Sequence, residues 1–227
     1  MSADLILANQ GIQYASGNLV DLKVTMPASG SYVAGDIVFE STTGVKVSGW
    51  KRLTTGSAHV LNTDWVYFQS SPVLGTAVAT TSGTAFDFTN IPVWAKRIKL
   101  FFCGVSTNGT SAIGVKLGTS GGLVSTGYTG ICSYKYAAGG GSEVANSAMF
   151  QLNTNSQAAY FTNGVMELSL VNPATNTWLA NCTSVSDSAN FVGAGMIQLS
   201  GTLTQLRVTT ANGTDTGDAG FVNIMYE

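Results

Sequence analysis

His59 is the single histidine of the chain, so any serine or cysteine nucleophile that needs an imidazole base must reach it. One string has the GxSxG form of a nucleophile elbow: Gly118-Thr119-Ser120-Gly121-Gly122. An elbow requires a helix directly after the serine and a histidine later in the chain. Here more glycine follows Ser120 and His59 precedes it, so the pattern reads as a loop serine and a surface histidine. Asp215-Thr216-Gly217 has the form of the aspartic-protease triplet, but that chemistry needs two carboxylates sharing a proton, and no second copy exists. The run from Asn212 to Asp218 is rich in oxygen ligands and lacks the glutamate that closes an EF-hand. It reads as a hairpin loop whose side chains bond its own backbone. Asp87, Glu143, Glu167 and Asp187 are scattered, whereas a glycosidase needs two carboxylates a few ångströms apart. Gly121-Gly122 and the run Gly139-Gly140-Gly141 are not followed by GK[ST], so neither is a phosphate loop. No catalytic residue, metal ligand or cofactor is assigned.

Binding residues are the more promising class. Tyr128, Tyr134, Tyr136 and Tyr160 lie near Gly, Ser, Asn or Gln, and a tyrosine face with its polar tip suits sugar rings and partner surfaces. They are the candidate receptor contacts. The alternative is that Tyr134 and Tyr136, two apart, share one buried strand face. Cys103, Cys132 and Cys182 form no CxxC pair and are odd in number, so they read as reduced structural thiols.

Strands must position these groups. Residues 19–26, LVDLKVTM, alternate Val20, Leu22, Val24 and Met26 against Asp21, Lys23 and Thr25, the pattern of a half-buried strand. Further strands are expected at 36–40, at 45–53 after a Thr43-Gly44 turn, and at 64–69. Residues 1–72 thus form a small β module, near the lower size limit for folding alone. Residues 73–84 are small and uncharged and read as a connecting segment. From residue 85 to 227 short strands are expected at 97–105, 113–117, 130–136, 148–152, 158–162, 165–171, 177–182, 196–200, 205–210 and 220–226. Turns are expected at Asn108-Gly109, Asn163-Gly164 and Asn212-Gly213. Residues 135–148, with their three glycines, read as an exposed mobile loop. With no amphipathic helix between strands, the expected fold is all-β: an antiparallel, jelly-roll-like β-sandwich preceded by the small module.

Composition narrows the function. Charged residues are only 10% of 227, well under the usual quarter, and 10 Lys plus Arg stand against 12 Asp plus Glu. Such a surface has no basic footprint for nucleic acid. No apolar run is long enough to span a bilayer. The N-terminal MSADLILANQG lacks the basic start of a signal peptide, so synthesis in the cytoplasm is expected.

Two long stretches carry a family likeness. AFDFTNIPVWAKRIKLFFCGVSTNGTS, residues 85–111, and LTQLRVTTANGTDTGDAGFVNIMYE, residues 203–227, resemble the C-terminal domain of many tailed-bacteriophage tail-fibre proteins. GWKRLTTGSAHVLNTDWV, residues 49–66, is similar to a segment found upstream in such fibres. The resemblance implies a virion structural protein, a homotrimer, with the N-terminal module docking to the tail or baseplate. It implies that the sandwich adheres to a host-surface polysaccharide or protein, many weak contacts adding up. It implies no catalytic residue. Two other readings remain open: a capsid decoration or baseplate protein that binds no receptor, and a glycan depolymerase on the same scaffold.

Overall fold

The computed structural model describes residues 6–8, 11–13, 18–40, 49–67, 72–154, 157–158, 160–187 and 189–227. The chain divides into two compact units, Met1–Val73 and Leu74–Glu227. All of the regular structure described is strand, and no helix occurs among the described residues.

The first unit is one sheet of six strands in chain order: β1 (Ile6–Ala8), β2 (Gly11–Gln13), β3 (Leu19–Lys23), β4 (Ile37–Glu40), β5 (Gly49–Arg52) and β6 (Trp65–Tyr67). Neighbours are antiparallel except β3 and β4, which run parallel from Val20 against Ile37. The expected inward face of residues 19–26 is reversed. Asp21 is buried while Leu22 and Val24 are about two-thirds exposed. Asp21 tolerates burial because its carboxylate accepts the Leu22 amide at 2.8 Å and meets Lys23 Nζ at 3.1 Å. The Thr43-Gly44 turn, with the strand residues 45–48 that follow it, and residues 68–69 lie outside the described residues.

Arg52 organises the other side of this unit. It is 1% exposed, and its guanidinium donates to the carbonyls of Thr54, Gly56 and Ala58 while lying 5.2 Å from the Trp65 ring centre. A buried guanidinium needs partners for its N–H groups, and here three of them meet carbonyls of one loop. Asp64 closes the same loop, accepting the Thr54 hydroxyl at 2.7 Å and the Val60 amide at 2.9 Å. These bonds hold the Asp64 carboxyl below its ordinary value, the Thr54 hydroxyl contributing most. The segment 49–66 is therefore explained by folding.

The second unit is a two-sheet sandwich. After β7 (Val73–Leu74), which falls at the division, come β8 (Val78–Ala79), β9 (Ala85–Thr89), β10 (Arg97–Thr107), β11 (Ile113–Thr119), β12 (Gly122–Leu123), β13 (Thr129–Tyr136) and β14 (Gly141–Asn146). Then follow β15 (Phe150–Gln151), β16 (Thr162–Asn172), β17 (Thr177–Ser186), β18 (Ala189–Gln198), β19 (Gln205–Thr210) and β20 (Gly217–Tyr226). The large sheet runs β14-β13-β18-β17-β16-β10-β20, with β8 also paired to β20. The small sheet runs β12-β11-β19-β9, with β15 on β11. All these pairs are antiparallel. The pairs β10·β20, β11·β19 and β13·β18 nest inside one another and alternate between sheets, the winding of a rolled hairpin. The inner faces meet through Ile98, Leu100, Phe102, Val115, Leu117, Leu168, Leu206 and Ile224, all nearly solvent-free. At about 25 cal/mol per Å² of apolar area, that face-to-face burial is what drives the fold.

Three local expectations change. Residues 78–84 are not a free connection: β8 extends the sheet at β20, and buried Thr80 donates its hydroxyl to Ala219 O at 2.6 Å. Asn163-Gly164 is not a turn but lies inside β16. Gly164 is required there because a Cβ would sit 2.5 Å from the Cβ of Ser184 on β17. The glycine-rich stretch 135–148 is not a loop but a hairpin, with β14 an exposed edge strand pairing Gly141–Asn146 to β13.

Candidate binding surfaces

Ser120 sits exposed in the tight turn between β11 and β12, followed by strand. His59 is engaged within the first unit: Trp65 Nε1 donates to its Nδ1 at 3.2 Å, its Nε2 lies 3.0 Å from Gly30 O, and its ring stacks on Trp65. Glu167 and Glu227 share Arg97 and Lys99 on the outer face of the large sheet, with nitrogen–oxygen distances from 3.1 to 3.8 Å. The hydrogen bond from Lys99, helped by Arg97, pulls the Glu227 carboxyl below its ordinary value. A glycosidase acid needs the opposite shift. Asp87 is held by a bidentate fork from Arg207 at 2.6 and 2.7 Å. Among the described residues no three His, Cys, Asp or Glu cluster as metal ligands.

The loop from Asn212 to Asp218 spends its oxygens on the fold. Asp215 Oδ2 accepts the Ser111 amide at 2.9 Å and Oδ1 accepts Asn212 Nδ2. Asn108 Oδ1 accepts the Thr216 amide at 2.8 Å, and Asn212 Oδ1 accepts the Thr210 hydroxyl and the Thr214 amide. Gly109 is needed for space: a Cβ there would lie 2.1 Å from the Asp215 carboxylate carbon. The two Asn-Gly turns thus form one clasp between β10–β11 and β19–β20.

The cysteines are all free thiols. Cys132 and Cys182 face inward from β13 and β17, flanking Gly193 of β18. Two strand spacings, about 9.5 Å between backbones, separate them, beyond the roughly 7 Å limit for a disulfide. The hydrogen bond with Cys182, together with burial, pushes the Cys132 thiol up.

The tyrosines do not form one surface. Tyr128 is a core residue, 3% exposed, so the expected receptor contact is corrected. Its hydroxyl donates to Val124 O at 3.1 Å and accepts the Leu117 amide at 2.8 Å, and its ring packs edge-on to Phe150. Burial pushes this phenol up to about 12. Tyr134 and Tyr136 do share a face, half-buried with Phe191, at ring separations of 5.0 and 5.8 Å. Tyr160 is half-buried, held through its amide to Gln157 O.

Two features that the sequence reading did not single out are more open. The first is the outer face of β13, β18 and β17. Register places Ile131 beside Ala194, Thr129 beside Met196 beside Leu179, and Ser133 beside Val192 beside Thr183. Ile131 is 52% exposed, Val192 54% and Met196 44%, and the shallow groove they line measures about 970 Å³. The signal was present in β18, ANFVGAGMIQ, which is apolar on both faces. The second lies at one end of the sandwich, where residues 91–96, 173–176 and 202–203 enclose a cavity of about 150 Å³ beside Trp178. Trp178 is 3% exposed, and its indole N–H has no partner among the described residues.

No protein-family model matches this chain, and no curated protein or solved structure matches it either.

Proposed function

We propose that the chain is a tailed-bacteriophage tail-fibre protein, a homotrimer whose N-terminal unit docks to the tail or baseplate and whose C-terminal sandwich adheres to the host surface. The observation that carries this reading is the bare aliphatic outer face of β13, β18 and β17. Its four prominent side chains, Ile131, Leu179, Val192 and Met196, are each between 38% and 54% exposed. Together they present on the order of 300 Å² of apolar side chain, comparable to the largest patch on a typical monomer, which is often functional. Further copies of the chain are the fitting occupants, because the centre of the patch is uncharged and three copies can gather it around a threefold axis without charge repulsion. Leu22 of β3 and Val24 just beyond it, both about two-thirds exposed, offer the first unit an apolar contact of the same kind. The sequence likeness of residues 85–111 and 203–227 supplies the virion setting. Adhesion by a protein with little charge rests on many weak contacts, which a trimer multiplies.

Light scattering after gel filtration tests the assembly. The expected mass is three times the 23.5 kDa of one chain. Val192→Asp with Met196→Asp places charge in the patch and is expected to give a folded single chain, with the β-sheet circular dichroism retained. A wild-type mass of one chain overturns the fibre reading. Immunogold label on intact particles then tests place: fibre tips are expected, and label over the head shell argues for decoration instead.

A further inference from the structure

We propose that the end pocket beside Trp178 binds a single six-membered sugar ring carrying a carboxylate, a uronate-type pyranose. The inference rests on the adhesion reading, whose assembly test is separate. Three chain segments distant in sequence build the site: the crossing from β9 to β10, the hairpin between β16 and β17, and the crossing from β18 to β19. Each is pinned by backbone bonds. The Ile91 amide donates to Thr204 O at 3.0 Å, the Leu170 amide to Lys96 O at 2.8 Å, and the Leu199 amide to Asn176 O at 3.1 Å. The walls are therefore preformed, which lowers the ordering cost of a ligand.

Size and chemistry select the ligand. A cavity of about 150 Å³ is the size that accepts one six-membered ring in a protein interior. This one opens to solvent, which leaves room for exocyclic groups. Ile91, Pro92, Leu170 and Leu203 give apolar walls for the C–H face of a ring. Trp178 closes the inner end as a lining side chain, only 3% exposed. Lys96 brings an ammonium to the rim, one of whose protons goes to Val93 O at 3.1 Å. No Asp or Glu lines the pocket. The charged group at the rim is thus the Lys96 donor, and the local charge is positive, so an acceptor with negative charge fits best.

The test uses the ¹⁵N-labelled full chain and follows its four indole N–H resonances while D-glucuronate or D-glucose is added. The Trp178 signal is expected to shift saturably with glucuronate, with glucose at least about tenfold weaker. Lys96→Gln is expected to erase that tenfold preference. Thr202→Trp, a change at the exposed rim, is expected to plug the mouth and abolish the shift while leaving the other three indole signals in place. No shift with either sugar overturns the proposal. So does equal binding of the two sugars, or a shift that survives Thr202→Trp. None of these outcomes alters the mass seen by light scattering, so a failure here is distinguishable from a failure of the trimer.

Discussion

The two ends of the sandwich treat their polar groups in opposite ways. At the end where β10 finishes and β20 begins, Ser111, Asn212 and Asp215 answer one another and Asn108 answers Thr216, so the loops form a single clasp. At the other end, where β10 begins and β20 finishes, the loops stand apart around a cavity, and Trp178 keeps an unanswered N–H. Both ends are built largely from the same two long stretches, residues 85–111 and 203–227. The difference teaches that such stretches are not equally informative about binding. The NGTD and STNGTS turns are used up in holding the fold, whereas the IPVWAK segment leaves a space.

The sharpest way to break this comparison is at Gly109. A valine there drives its Cβ into the Asp215 carboxylate, and overpacking against a fixed group costs about 3 kcal/mol. For a unit of this size that lowers the unfolding temperature by roughly 10 °C, measured by circular dichroism. Asp215→Ala alone is expected to cost about 2 kcal/mol through its lost charge-assisted bonds. If the clasp is one object, the double variant costs clearly less than the two singles together. Full additivity would show that the turns act independently. By contrast Thr202→Trp at the open end, being exposed, is expected to stay within about 0.5 kcal/mol of the parent chain.

Tyr128, buried between the sheets, tests the same core through pH. Its folded-state phenol ionises at about 12, raised by burial from the ordinary 10.0. Below pH 10 the phenol is neutral in both states and its contribution is complete. As pH rises from about 10 to about 12 the unfolded chain gives up the proton and the folded chain keeps it. Stability then falls by up to about 1.4 kcal/mol per pH unit, some 2–3 kcal/mol in all. Tyr128→Phe is expected to flatten this alkaline limb, seen as a smaller loss of urea midpoint between pH 9 and about 12. An unchanged slope would mean that this phenol is not the group responsible.

Much of the fold could be read from the chain, and the failures have causes. The opening residues of β9, β10 and β19 alternate apolar and polar, Phe86 and Phe88 about Asp87, Ile98 and Leu100 about Lys99, and Leu206 and Val208 about Arg207, so period and burial agree there. β18 alternates poorly in polarity, because its outer positions Val192, Ala194 and Met196 are apolar like the inner ones, and most of it was missed. Asn163-Gly164 has turn chemistry, yet Gly164 is there for the close approach of Ser184. The face of β3 was inverted because local bonds to Leu22 and Lys23 let Asp21 go inside. Tyr128 sits in a Gly-rich neighbourhood that looks exposed, and only the Leu117 and Val124 backbone groups that meet its hydroxyl explain why it is not. The end pocket was illegible in principle, since Ile91, Pro173 and Leu203 come together only through two sheet crossings and a hairpin.

The smallest expected effect belongs to the charged corner of the open end, and its sign is fixed by the groups around Glu227. Lys99, then Arg97, hold this carboxyl below its ordinary value. A carboxyl that is more acidic in the folded state contributes stability above the unfolded value of about 4.3. That contribution fades as pH falls through the lower folded value, where the folded chain also takes up the proton. Glu227 is partly exposed, so solvent and salt screen the pair and the contribution stays under about 1 kcal/mol. Glu227→Gln should therefore lower the unfolding temperature slightly at pH 7, and the gap to the parent chain should close as the carboxyl is titrated in acid. Raising the salt should close it too, because the Arg97 and Lys99 contacts lie at the surface. A gap that persists in high salt would place Glu227 with the clasp, as a structural tie, rather than with the open rim where its exposed partners put it.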